Sequence, residues 1–285
     1  MDLLAASTLI FQLALLGLVL WAVIELTRGS RAISVALFIG LPVLILPLIL
    51  QTEWNGWFNL AKSMTMIFVG AYLTAMRLGL RSRAFTTLFS LLFLLNIVEA
   101  TARDFSSGHW LNFAAGLLVI GLLPAPQTLR VDERHSISYP TSWWFIAAYS
   151  VWNFCFLFSY ESVRGYQGDY TYIAALLLAV PIFAALRLGA HRYTQARAYS
   201  LAFCITMTEA SVVALPEAWP LAEASLFSPL AHQGLSAVSL MVGAVAWWQV
   251  RRSPQEYRIT LLASVLGLPS RLRSAGSSRR PALAA

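Results

Sequence analysis

Apolar residues in this chain come in long unbroken runs rather than in the one-sided spacing of helices that lie against water. Nine runs stand out, at about 3–26, 32–51, 57–76, 84–102, 110–124, 142–160, 171–188, 197–215 and 230–250. A bilayer core of about 30 Å takes about 20 helical residues, so each run predicts a transmembrane helix. The fifth is short and stops at Pro124. The first does not read as a cleavable signal, because Met1-Asp2 gives it no positive start and it is too long.

Composition agrees with the pattern. Of 285 residues 58% are apolar and 12% charged, with a mean hydropathy of +0.67. A soluble domain carries about 25% charged residues, so neither a water-soluble globule nor a disordered chain fits. The expected fold class is an all-α polytopic membrane protein, with residues 1–250 as one transmembrane domain. Residues 251–285 form a basic tail, in which Tyr257–Leu268 predicts a short interfacial helix and the remainder disorder. Cys155 and Cys204 sit inside apolar runs and read as small buried hydrophobes.

The net charge of +7 is explained by orientation. Seventeen of nineteen arginines fall in alternate connections and the tail: Arg28 and Arg31; Arg77, Arg81 and Arg83; Arg130 and Arg134; Arg187, Arg192 and Arg197; and seven after Val250. Only Arg103 and Arg164 lie on the other side. The positive-inside rule makes the seventeen cytoplasmic, with the N-terminus outside and the C-terminus inside a bacterial inner membrane. The charge is then a contact for anionic lipid and not a nucleic-acid surface.

An offset of 110 residues aligns Ala75–Ala100 with Ala185–Ala210 without a gap. Nine of 26 positions are identical, among them Arg77/Arg187, Gly79/Gly189, Ser90/Ser200 and Glu99/Glu209. This predicts two parallel four-helix repeats, 32–124 and 142–250, behind one added helix. In transporters built that way the site lies at the repeat interface.

The blocks LTRGSRAISVALFIGLPVLI (26–45), WFNLAKSMT (57–65), NIVEATARDF (96–105) and WWFIAAYSVWNF (143–154) resemble an uncharacterised family of bacterial multi-pass membrane proteins, a domain-of-unknown-function family. The likeness covers about residues 20–190. It carries over Lys62, Asn96, Glu99, Arg103, Asp104, Trp152 and Asn153, and it implies a membrane fold but no activity. Ser150 departs from the family's aspartate at that place, and Glu209 is outside its pattern.

Ionisable side chains inside spans are expensive and mark functional positions. Lys62, Asn96, Glu99, Asn153 and Glu209 all fall in the outer halves of their runs, which predicts a cavity open to the outside. Asn96, Glu99 and Arg103 share one helical stripe, as do Tyr149, Ser150 and Asn153, with Trp152 beside them. For Glu99 an ion pair with Arg103 competes with a site role. For Lys62, the only lysine, snorkelling to the outer interface competes with pairing to Glu99 or Glu53, or with binding an anionic group. Trp54, Trp57, Trp110, Trp143, Trp144, Trp247 and Trp248 read as an interfacial belt. Pro42, Pro47 and Pro181 break backbone bonds within spans.

Catalytic and metal patterns are missing from the sequence. His109, His135, His191 and His232 lie near run ends with no paired spacing for haem or zinc, and no phosphate loop occurs. No metal is expected, the cofactor is unknown and enzyme status is open. The function expected is a secondary carrier or channel for a small solute or ion. Its site would be lined by Lys62, Asn96, Glu99, Arg103, Trp152, Asn153 and Glu209. The alternatives are an intramembrane enzyme for a lipid or isoprenoid, or a non-catalytic lipid- or pigment-binding subunit. Membrane lipids are the expected partners, and a homo-oligomer is compatible.

Overall fold

The computed structural model describes residues 3–51, 57–132, 136–159, 171–214 and 228–266, and within them all side chains but those of 3–6, 48, 49, 51, 57, 59 and 208–214. Among the described residues each of the nine apolar runs is a helix. α1 is Leu3–Gly29, and α2 (Arg31–Val35) runs through a π turn at Ala36–Gly40 into α3 (Leu41–Gln51). Then come α4 (Trp57–Arg77), α5 (Arg83–Ser106), α6 (Trp110–Leu122), α7 (Trp143–Ser159), α8 (Thr171–Leu188), α9 (Tyr193–Ala214) and α10 (Pro229–Arg252). Two short helices follow, α11 (Pro254–Arg258) and α12 (Leu261–Val265). The expected tail helix is therefore broken in two, and residues 267–285 lie outside the described residues.

By length and composition, α1, α5, α8 and α10 can cross a membrane, and Arg31–Pro47, α6 and α7 are shorter apolar helices. The outward faces agree with a membrane-embedded protein. Ile10, Phe11, Leu44, Leu186 and Leu230 are each at least two-thirds exposed, a coat that a water-facing surface rarely carries.

The two more polar helices, α4 and α9, pack against each other. Their contact depends on small residues. A Cβ on Gly70 would come within 2.8 Å of the Ala202 Cβ and 2.9 Å of the Phe38 ring, so glycine lets the backbones approach. α10 packs on α6 and α7, and α8 packs on α9 and α1. The interior is shared by polar and apolar helices, since the apolar α7 is buried along most of its length.

Sequence punctuation accounts for the helix ends. Ser82 caps α5 by accepting from the Phe85 N–H, and Ser228 caps α10 ahead of Pro229. Gly79 and Gly189, the glycines of the two RLG corners, both have positive φ, at 118° and 98°. Gly79 closes α4 with Leu80 donating to the Ala75 carbonyl, a helix stop that a left-handed residue permits. The π turn falls just before Pro42, where the missing N–H loosens the ladder.

One end of the bundle is tied shut. Between α6 and α7 a hairpin pairs β1 (Arg130–Val131) with β2 (Ile137–Ser138), antiparallel. It is fastened to α9 by the Ile137 N–H donating to Gln195, and to the turn before α9 by Arg192 donating to Asp132 at 2.5 Å and to the Ile137 carbonyl. The Tyr139 hydroxyl donates to the Pro124 carbonyl, and the Leu261 N–H to that of Leu123. Burial pushes the Tyr139 hydroxyl up from its ordinary pKa and the His191 imidazole down, so both stay neutral here.

Two arginines expected in connections are inside the protein. Arg77, 1% exposed, is the last residue of α4 and donates to the Thr27 and Arg28 carbonyls and to Ser34 Oγ. It satisfies carbonyls at the end of α1 that the helix leaves open. Arg197 is buried because α9 starts at Tyr193, four residues before the expected 197.

Candidate functional site

Lys62 stands five residues into α4, and its side chain turns away from the nearer helix end. Its Nζ donates to the Asn96 carbonyl at 2.6 Å and lies 3.8 Å from Glu99 Oε2. Asn96 is ten residues before the end of α5, about 15 Å along a helix. The ammonium is therefore held, mostly buried, against α5. The Asn96 amide donates to Met66 Sδ at 3.1 Å, which holds α5 against α4 beside the pair.

Glu99 pairs with Lys62 and not with Arg103. Arg103 is exposed and lies over the Phe58 ring, 5.8 Å from its centroid. The stripe Asn96–Glu99–Arg103 thus runs from buried to exposed and only its inner two members join the site. Helix geometry explains this, because Arg103 stands one turn nearer the helix end, where its charge reaches solvent at low cost.

The second half of the site comes from α7 and α9. Phe156 places its ring 6.0 Å from Lys62 Nζ. One turn earlier on α7, Asn153 Oδ1 accepts from Arg197 Nη2 at 2.6 Å. Arg197 is 2% exposed, and its Nη1 donates to the Leu177 carbonyl at 3.1 Å. Its Nε is buried without a hydrogen-bond partner, and among the described residues no carboxylate pairs with it. One turn before Arg197, the Tyr193 hydroxyl meets Ser150 Oγ at 3.0 Å. Glu99, Lys62, Phe156, Asn153 and Arg197 therefore form one line across α5, α4, α7 and α9, with two cations to one carboxylate.

Trp152 is buried at 1%, beside Tyr149 and Phe156. It forms a wall of the site, and its backbone carbonyl accepts from Asn112 at 3.4 Å. Behind that wall lies a cluster that sequence spacing did not bring together. Asp104 and Asn112 are fully buried, and Asn112 Nδ2 donates to Asp104 Oδ2 at 2.8 Å. Asp104 Oδ1 lies 3.6 Å from His109 Nδ1, and the His109 and His232 rings stand 4.2 Å apart.

The side chains of Glu209 on α9 and Trp57 on α4 lie outside the described residues, and Glu53, Trp54, Arg164 and His135 lie outside them altogether. Trp110, Trp143, Trp144 and Trp248 are exposed, as an interfacial belt requires. Cys155 and Cys204 are buried and in no disulfide, and Cys155 Sγ meets Ser236 Oγ at 3.2 Å. Arg197 is the main functional residue missed in the sequence. Its signal was the tyrosine one turn before it and the proline across from it in α8. Among the described residues no three His, Cys, Asp or Glu side chains are grouped to hold a metal ion.

Comparison with family models, curated proteins and solved structures gives no match for this chain. The functional reading therefore rests on the geometry of the site.

Proposed function

We propose that this chain is a nine-span inner-membrane transport protein, a secondary carrier or channel for a small solute or ion. The observation that carries the reading is the Lys62–Glu99 pair held inside the helical walls, in line with the buried Arg197. Charges at such depth are costly unless they handle a charged species or a proton. Two cations facing one carboxylate favour an anionic solute, with Glu99 exchanging a proton as the solute passes. With Arg77 and Arg197 set aside as buried, the other fifteen arginines of that side support an N-terminus outside and a cytoplasmic C-terminus. The equivalent glycines Gly79 and Gly189 support two parallel repeats, and Arg77 and Arg187 both reach α1, the latter through Glu25 at 2.9 Å.

The test is flux in proteoliposomes carrying an internal pH dye, with gradients of small organic and inorganic anions applied in turn. The native protein is expected to couple at least one anion gradient to proton movement, and Glu99→Gln to abolish the coupling. Coupled flux of native rate in Glu99→Gln contradicts the proposal.

A further inference from the structure

A cavity of about 370 Å³ lies between the α5–α6 turn and the start of α10, lined by Gly108, His109, Trp110, His232, Gln233 and Ser236 among others. His109 and His232 are 123 positions apart in the sequence, yet their rings meet here at 4.2 Å with 54° between their planes. Neither takes part in the Lys62–Glu99–Arg197 line.

We propose that His109 and His232 bind one divalent transition-metal ion of the zinc, nickel or copper type at the mouth of this cavity. Three features of the arrangement support it. First, the buried Asp104 carboxylate, held by Asn112, faces His109 Nδ1. At 3.6 Å this is longer than a hydrogen bond, and metal binding must draw His109 a little closer for the carboxylate to hold the Nδ1 proton and leave the Nε2 lone pair for the ion, the usual outer-shell support of metal-binding histidines. Second, imidazole is a ligand type that suits zinc, nickel and copper. Third, the cavity has room for the water that an open site keeps as its remaining ligands, and Gln233 adds a side-chain oxygen within the lining.

Ring spacing sets the adjustment needed. With metal–nitrogen bonds of about 2.0–2.1 Å and N–metal–N angles of about 90–110°, two imidazoles on one ion have centroids about 4.5–5.2 Å apart. From 4.2 Å the rings must part by about 0.3–1 Å and turn one nitrogen each toward a common point. Asp104 acts through His109 and not as a direct ligand.

The experiment uses the full chain purified without a polyhistidine tag. Titration with copper(II) alone, followed by pulsed electron paramagnetic resonance, is expected to give one bound ion with two coordinated imidazoles. Zinc alone is expected to raise the unfolding temperature and to compete with copper. Asp104→Asn is expected to weaken zinc binding about 10–100-fold while both imidazoles stay coordinated to copper. His109→Gln and His232→Gln are each expected to leave one imidazole. No stoichiometric ion, fewer than two imidazoles in the native protein, or native affinity in the His109→Gln/His232→Gln double variant overturns the proposal. The first two readings need no variant, so they stand even where a substitution fails to fold.

Discussion

Arg197 on α9 donates to the carbonyl of Leu177 on α8, at 3.1 Å. Leu177 is four residues before Pro181, inside the same helix. In an α-helix the N–H of residue i bonds the carbonyl of residue i−4, and proline has no N–H to give. The guanidinium therefore replaces the donor that Pro181 lacks, and the break in α8 and the buried charge in α9 are one feature.

This gives a double-mutant prediction. Arg197→Met removes the donor and leaves both Leu177 and Asn153 acceptors buried without it, at about 1–3 kcal/mol for each such group. In a Pro181→Ala background the backbone N–H regained at that position serves the Leu177 carbonyl, so the same change costs less. A coupling of about 1 kcal/mol between the two positions is expected in thermal or denaturant unfolding. Strict additivity would mean the two residues act independently.

Lys62 and Glu99 are linked in a similar way but remain partly exposed, at 14% and 20% of their side chains. Removing one member strands the other, which costs about 3–5 kcal/mol when a pair is wholly buried; partial exposure screens this to about 2 kcal/mol. Lys62→Met is thus expected to lower the unfolding temperature, and Lys62→Met/Glu99→Gln to recover part of the loss. The comparison by circular dichroism in one detergent checks it. A double variant at least as unstable as the sum of its singles contradicts the pairing.

Gly116 on α6 has no room for a methyl group. A Cβ there would lie 2.5 Å from Thr101 Oγ1 and 2.8 Å from Trp152 Nε1, on two other helices. Gly116→Ala is expected to cost about 1–3 kcal/mol through overpacking, although alanine is the better helix former. Gly234→Ala, which meets nothing within 4 Å, is the control and is expected to be neutral or stabilising.

Helix positions were legible in the sequence because runs of this length and apolarity have few other solutions in a bilayer. Asn96, Glu99, Asn153 and Lys62 were legible for the same reason, as costly groups inside such runs. Arg197 was not. Tyr193–Ala196 reads as a polar connection, and only the start of α9 at Tyr193 puts Arg197 one turn inside. Arg77 was misread likewise, because an arginine at a helix end serves equally as a topology signal or as a buried donor to another helix. The Asp104–His109–His232 cluster had no sequence signature. The short α5–α6 turn folds His109 back on Asp104, and the packing of α10 on α6 brings in His232 from far along the chain.

The central claim is that the line from Glu99 to Arg197 is a path open to water and solute. Only Cys155 and Cys204 need replacing to give a thiol-free background. Asn96→Cys then places a thiol beside Lys62 without touching the Asn96 carbonyl that Lys62 binds. Membrane-impermeant anionic and cationic methanethiosulfonate reagents, added to intact vesicles of known orientation, measure access to that thiol. The account predicts modification from one side, faster by the anionic reagent because the line carries two cations to one carboxylate. Absence of modification from either side of the folded protein, with full modification after unfolding, would contradict it.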